Sequence, residues 1–117
     1  MKKESPIFTR TYDLLRWLIP MTVKFPRQQR FVLAARVQQT ALRLHEQLIE
    51  ATHSPQPITV LRQADVTLIK LRFYLRLCRD LELLSVGQYG HGARMVDEIG
   101  RLLGGWMKKE DTPAQPA

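Results

Sequence analysis

From Phe31 to Leu48, apolar residues recur in steps of three and four, at Phe31, Ala34, Val37, Ala41, Leu44 and Leu48. That spacing gathers them on one side of an α-helix. The Ala, Gln, Leu and Arg residues between them are good helix formers, so a helix of about six turns is predicted from Arg27. Three other stretches share the period. Tyr12, Leu15, Leu18 and Ile19 define a first helix, capped by Thr9 or Thr11 and with Asp13 near the positive end of its dipole. Pro20 is expected to kink or thin it, and Phe25-Pro26 to stop it in a turn over Lys24 to Arg27. Leu61, Ala64, Leu68, Leu71, Leu75 and Cys78, widened by Phe73, Leu77 and Leu81, predict a third helix to about Leu84, its apolar arc broad enough for contacts on two sides. Met95, Ile99, Leu102, Leu103 and Trp106 give the buried face of a fourth. Its start stays open, because Ser85-Val86-Gly87-Gln88 has capping character while Gly90 and Gly92 follow.

No stretch alternates as a strand does, and the turn-rich run from Thr52 to Pro57 separates two helical hairpins. Short connections favour antiparallel neighbours, so the expected fold is all-α: an up-down antiparallel four-helix bundle whose longer helices span roughly 35 to 40 Å. Residues 1–8 are expected to form a flexible N-terminus, 9–109 the bundle, and 110–117 a disordered tail without large apolar anchors. At 117 residues the chain is read as one domain.

Charge adds a direction. Eighteen Lys and Arg against eleven Asp and Glu leave +7, which suits a polyanionic partner or simply a solvated basic face. Within Leu71 to Arg79, Arg72, Arg76 and Arg79 fall at i, i+4 and i+7 and stack three guanidinium groups on one side of the third helix. Like charges at that spacing repel by a few tenths of a kcal/mol. The acids nearest in sequence, Asp65 and Asp80, are too few to neutralise the row. Arg36 and Arg43 on the second helix, with Arg27 and Arg30 at its start, extend this surface or are broken up by Glu46 and Glu50; the sequence supports both. Tyr74 beside the row suits stacking on a base or a place at the rim of the core.

Catalytic constellations are not found. His45-Glu46 would begin a zinc-binding H-E-x-x-H helix, but position 49 is Ile49. The three histidines read as surface residues. Cys78, the single cysteine, lies on an apolar stripe and reads as a core residue, and it leaves no disulfide to require an oxidising compartment. Asp97-Glu98 and Glu110-Asp111 are adjacent and do not converge on a substrate. The expectation is no enzyme, no cofactor, no metal, no membrane span and no signal peptide, in a reducing cytoplasm. Gly100, Gly104 and Gly105 sit inside the fourth helix, where glycine costs about 1 kcal/mol. Either Gly100 and Gly104 let a neighbour approach, with Trp106 packed beyond them, or Gly104-Gly105 begins the helix C-terminus.

Four strings in order, Leu14-Leu15-Arg16-Trp17-Leu18-Ile19-Pro20, Lys24-Phe25-Pro26-Arg27, Leu71-Arg72-Phe73-Tyr74-Leu75-Arg76-Leu77 and Asp97-Glu98-Ile99-Gly100-Arg101-Leu102-Leu103-Gly104-Gly105-Trp106, resemble the accessory variability determinant (Avd) family of diversity-generating retroelements over roughly Tyr12 to Lys109. The resemblance implies a four-helix bundle assembling into a homopentameric barrel with a basic surface. It also implies association with the retroelement's reverse transcriptase and with template RNA or DNA, in support of mutagenic retrohoming. By motif it carries over Arg72 and Arg76 as polymerase or polyanion contacts; Arg79 joins them by helix geometry alone. A sister group, the four-helix proteins encoded in intervening sequences of bacterial large-subunit ribosomal RNA, shares the fold and oligomer and implies an RNA-associated or structural bundle without a polymerase partner.

Overall fold

A computed structural model describes residues 5–111, and these residues are helical apart from their connections. The elements are α1 (Pro6–Val23), α2 (Arg27–Gln29), a π-helix (Arg30–Ala34), α3 (Ala35–His53), α4 (Pro57–Asp80) and α5 (Val86–Glu110). Because α2, the π-helix and α3 follow without a break, they form one rod. Four long rods therefore pack in the order α1, α3, α4, α5, with α5 closing back on α1.

Side-chain pairs fix the directions. Between α1 and α5, Phe8 meets Trp106 edge-on at 6.2 Å and Trp17 meets His91 at 5.2 Å, so the two rods run oppositely. Between α1 and α3, Thr11 pairs with His45, and Gln38 Nε2 donates to Thr22 Oγ1 at 2.8 Å. These pairs again give opposite directions, and the packing is that of an up-down bundle. The turns Lys24–Pro26 and Leu81–Ser85 share one end, and the turn Ser54–Gln56 shares the other, here called the chain-end pole, with Ser5 and Asp111, the limits of the described residues.

The interior follows the periodicities closely. Leu61, Ala64, Leu68, Leu71, Leu75 and Cys78 are all buried, as are Ala34, Val37, Ala41, Leu44 and Leu48. In α5 the buried set is Gly92, Val96, Ile99 and Leu103, while Met95, Leu102 and Trp106 lie half-buried at its margin.

The ends differ from the sequence reading. The first helix starts at Pro6, not after Thr9 or Thr11, because proline at the first helical position loses only an N–H that would be unpaired anyway. Ile7 is buried, so residues 5–8 belong to the bundle. At its other end α1 agrees with that reading: Pro20 lies inside the helix, with Leu18 and Thr22 buried on either side of it, and the helix runs on to Val23, just before the stop expected at Phe25-Pro26. Of the expected tail the described residues are Glu110, the last residue of α5, and Asp111, its cap; the expectations for residues 1–4 and 112–117 lie outside the described residues.

Both ends of the α4–α5 connection are built chemically. Ser85 N–H donates to Gln88 Oε1 at 2.9 Å and Gln88 N–H donates to Ser85 Oγ at 3.0 Å, a capping box that starts α5 before Gly90 and Gly92. The α4 end closes with Leu83 N–H donating to the Cys78 carbonyl (2.8 Å) and Glu82 N–H to the Arg79 carbonyl (2.9 Å). This is a Schellman motif with Glu82 at φ 61°, where glycine is usual. Left-handed backbone costs a side-chain-bearing residue roughly 1–2 kcal/mol. Glu82→Gly is therefore expected to raise unfolding stability by about 1 kcal/mol, read as a higher urea midpoint with unchanged slope.

Candidate functional site

The arginine row lies where α4 faces α5, and its three members do not stand alike. Arg72 Nη2 sits 3.6 Å from Asp97 Oδ1 across the groove, and Arg79 makes two hydrogen bonds to Asp80 Oδ1 (3.1 and 2.9 Å) while its guanidinium carbon lies 4.6 Å from the Tyr89 ring centre. Arg76, exposed between them, has no carboxylate within reach among the described residues. The expectation that acids are too few to neutralise the row is thus corrected for two of its three members. Asp80 engages Arg79 from the next position, and Asp97 reaches Arg72 from another helix. Both pairs are solvent-exposed, where such bridges contribute about 0–1 kcal/mol, so a stronger anion competes for the same guanidinium groups.

The α3 extension is also divided. Arg43 Nη1 holds Glu50 Oε1 at 2.9 Å, which selects the broken-patch alternative at that position, whereas Arg36 is exposed and unpaired among the described residues. Tyr74 is half-buried against the core and Phe73 is exposed. Arg10 donates from Nε to Glu98 Oε1 at 2.7 Å, and this bond pushes the Arg10 pKa further up.

The helical glycines separate into two kinds. A Cβ on Gly100 would lie 2.6 Å from Arg72 Nη2, so the close approach expected there is made by the arginine itself. Gly104 and Gly105 have open space around them within the chain, and α5 continues past both to Glu110. Helix packing inside one chain therefore does not explain Gly104. Trp106 lies half-buried, in an edge-type contact with Phe8 at 6.2 Å.

His45 is not a surface residue. Its Nδ1 is hydrogen-bonded to Thr11 Oγ1 at 2.6 Å, and the same Thr11 hydroxyl lies 3.2 Å from the Phe8 carbonyl. His53 and His91 are exposed, the latter against Trp17. Cys78 is fully buried, and burial pushes its pKa up to about 11, away from nucleophilic character. A cleft of about 570 Å³ opens at the chain-end pole among Ile7, Phe8, Leu102, Gly105 and Trp106, with Lys109 and Glu110 also lining it. A smaller one, about 160 Å³, lies beneath Arg72. Neither includes His45, and no group of three His, Cys, Asp or Glu able to hold a metal occurs among the described residues. No helix among them is long and apolar enough to cross a membrane.

An unpartnered apolar surface accompanies the arginines. Val66, Ile69, Phe73 and Leu77 recur along α4 at i, i+3, i+7 and i+11 and are exposed, Phe73 by 63%. A second exposed set, Tyr12 and Val23 on α1 with Leu42 and Ile49 on α3, belongs to other rods. Sequence periodicity marked the breadth of the α4 arc through Phe73 and Leu77; of the second set it placed Tyr12 on the apolar side of the first helix, where the structure leaves it exposed, and it passed over Val23, Leu42 and Ile49.

The profile of the bAvd-like family matches residues 6–110, all four rods with their turns. The chain belongs to the bAvd-like family. Searching curated proteins produced no match. The four strings that carry the resemblance map onto the structure as core and rim together. Leu14, Leu18, Leu71, Leu75, Ile99 and Leu103 are buried, and Arg16, Arg72, Arg76 and Arg101 from the same strings are exposed.

Proposed function

We propose that this bAvd-like protein is a non-enzymatic accessory factor of a diversity-generating retroelement, a basic homo-oligomer that binds the reverse transcriptase and its template RNA or DNA and supports mutagenic retrohoming. The observation that carries the reading is the family match over residues 6–110, joined to the row of arginines that α4 carries where it faces α5. Self-assembly is supported by the two exposed apolar sets. They differ from each other, which supports head-to-tail joining of copies, and such joining closes into a ring when the rotation permits; the family resemblance supports five copies in that ring. Repetition multiplies the cationic contacts without any new chemistry. Within each copy Arg76 and Arg36 offer unpaired charge, and Arg72, Arg79 and Arg43 exchange weak intramolecular partners for phosphate.

Such contacts are made to phosphates and depend on salt. Arg72→Ala combined with Arg76→Ala is expected to weaken binding of template RNA by about tenfold near physiological salt. It should also flatten the plot of log affinity against log salt by about 1.4, as two lost single-strand phosphate contacts require. A filter-binding titration of parent and double variant reads both quantities, and an unchanged slope removes these two arginines from the interface.

A further inference from the structure

Cut across the bundle at the level of Leu14, Ala41, Ile69 and Asp97, the charge proves to be divided along the axis. The level is set by contacts: the Arg72–Asp97 pair lies at it, the Thr11–His45 pair and Leu68 beside Gly100 just to the chain-end side. Residues 15–41 and 70–97, the half that carries the α1–α2 and α4–α5 turns, hold ten Lys and Arg against Asp80, Glu82 and Asp97. Residues 5–14, 42–69 and 98–111, the other described half, hold six against seven. Two of the three carboxylates in the basic half are already held by Arg79 and Arg72. Lys24, Arg27, Arg30, Arg76 and Arg94 are exposed there and have no carboxylate within 4.0 Å among the described residues.

We propose that this turn-bearing end is the face that takes single-stranded nucleic acid, with Lys24, Arg27, Arg30, Arg76 and Arg94 holding its phosphates; the proposal rests on the nucleic-acid reading above and gives it a place on the molecule. The five cations come from the α1–α2 turn, the α2 and π segment, α4 and α5, so they surround the end of the rod and do not line one groove. A rigid acidic protein patch meets such a ring of charge on one side only. A flexible polyphosphate chain wraps it, and because the opposite end is close to neutral, the field draws the strand to this pole. At a screening length of about 8 Å, charges at the chain-end pole contribute little to that attraction.

The test compares two triple variants of the full chain that remove equal charge: Lys24→Gln, Arg27→Gln, Arg30→Gln at the turn-bearing end, and Arg62→Gln, Arg101→Gln, Lys109→Gln toward the other. Binding of a fluorescein-labelled single-stranded RNA is followed by anisotropy across a salt series, with circular dichroism confirming the fold. The first variant is expected to bind about 50-fold more weakly near 0.15 M salt with its salt slope reduced by about 2, and the second to change by less than about threefold. Lysine in place of Arg27 and Arg30 should retain binding, since charge and not fork geometry is what the phosphates meet. Equal weakening by both triple variants, or none by the first, overturns the polarity and leaves nucleic-acid binding itself standing. Absence of RNA binding by the parent overturns both. RNA binding intact alongside loss of polymerase capture in the first variant makes this end a protein-docking face, and equally overturns the proposal.

Discussion

Phe73→Asp is expected to leave the chain folded and to dissolve the proposed self-assembly, lowering the mass in solution to that of one 13.6 kDa chain. Phe73 is 63% exposed in the single chain, so aspartate there meets water and disturbs no core contact. In an assembly the ring lies at the centre of Val66, Ile69 and Leu77. Burying a phenylalanine contributes about 1.5–3 kcal/mol, and a carboxylate placed in the same dry contact costs more than that gain. Each copy in a ring carries the substitution at every junction, so the association constant per junction is expected to fall by at least about 100-fold. Light scattering behind size exclusion reads the mass, and helical dichroism reads the fold. A variant that keeps the parent's mass shows that α4 is not the joining face.

Gly92→Val is expected to destabilise the chain by about 2 kcal/mol, lowering the melting temperature by roughly 10 °C. Gly92 is buried, and a Cβ there would stand 3.0 Å from both Cζ3 and Cη2 of the Trp17 indole and 3.7 Å from Leu75 Cδ1. The indole is held in turn against His91 at 5.2 Å and has little freedom to retreat. Valine adds two further methyls to that contact, and its strain exceeds the roughly 0.5 kcal/mol that helix propensity returns when glycine is replaced. Thermal unfolding of parent and variant at equal chain concentration separates this effect from assembly. An unchanged midpoint would mean that the indole moves freely.

What the sequence made legible follows from the range of the interactions concerned. The α4 stripe Leu61 to Cys78 is a local periodicity, and all six of its residues are buried. The capping box at Ser85 and Gln88 is likewise local, three residues apart. Gly92 was readable only as a helix-weakening residue near a helix start, because the ring that needs its missing side chain is Trp17 on another rod. Asp97 as the partner of Arg72 and Thr11 as the partner of His45 were hidden for the same reason. The π-helix over Arg30–Ala34 contains Phe31 and Ala34, the first two residues of the second rod's apolar period, whose steps of three and four run on through it to Val37, so the sequence reads as one uninterrupted helix. For the candidate surface, residue types announced a row of three arginines; the structure divides it into paired Arg72 and Arg79 and unpaired Arg76. It also draws attention to cations at the turns, which no single helical spacing connects.

The most direct measurement of the proposed accessory role is co-elution of this chain with the reverse transcriptase proposed as its partner and the template RNA, by size exclusion with light scattering near physiological salt. One peak holding polymerase, RNA and several copies of the chain is expected, with the RNA leaving first as salt is raised. Polymerase and chain eluting separately, with RNA and without it, would contradict the accessory role.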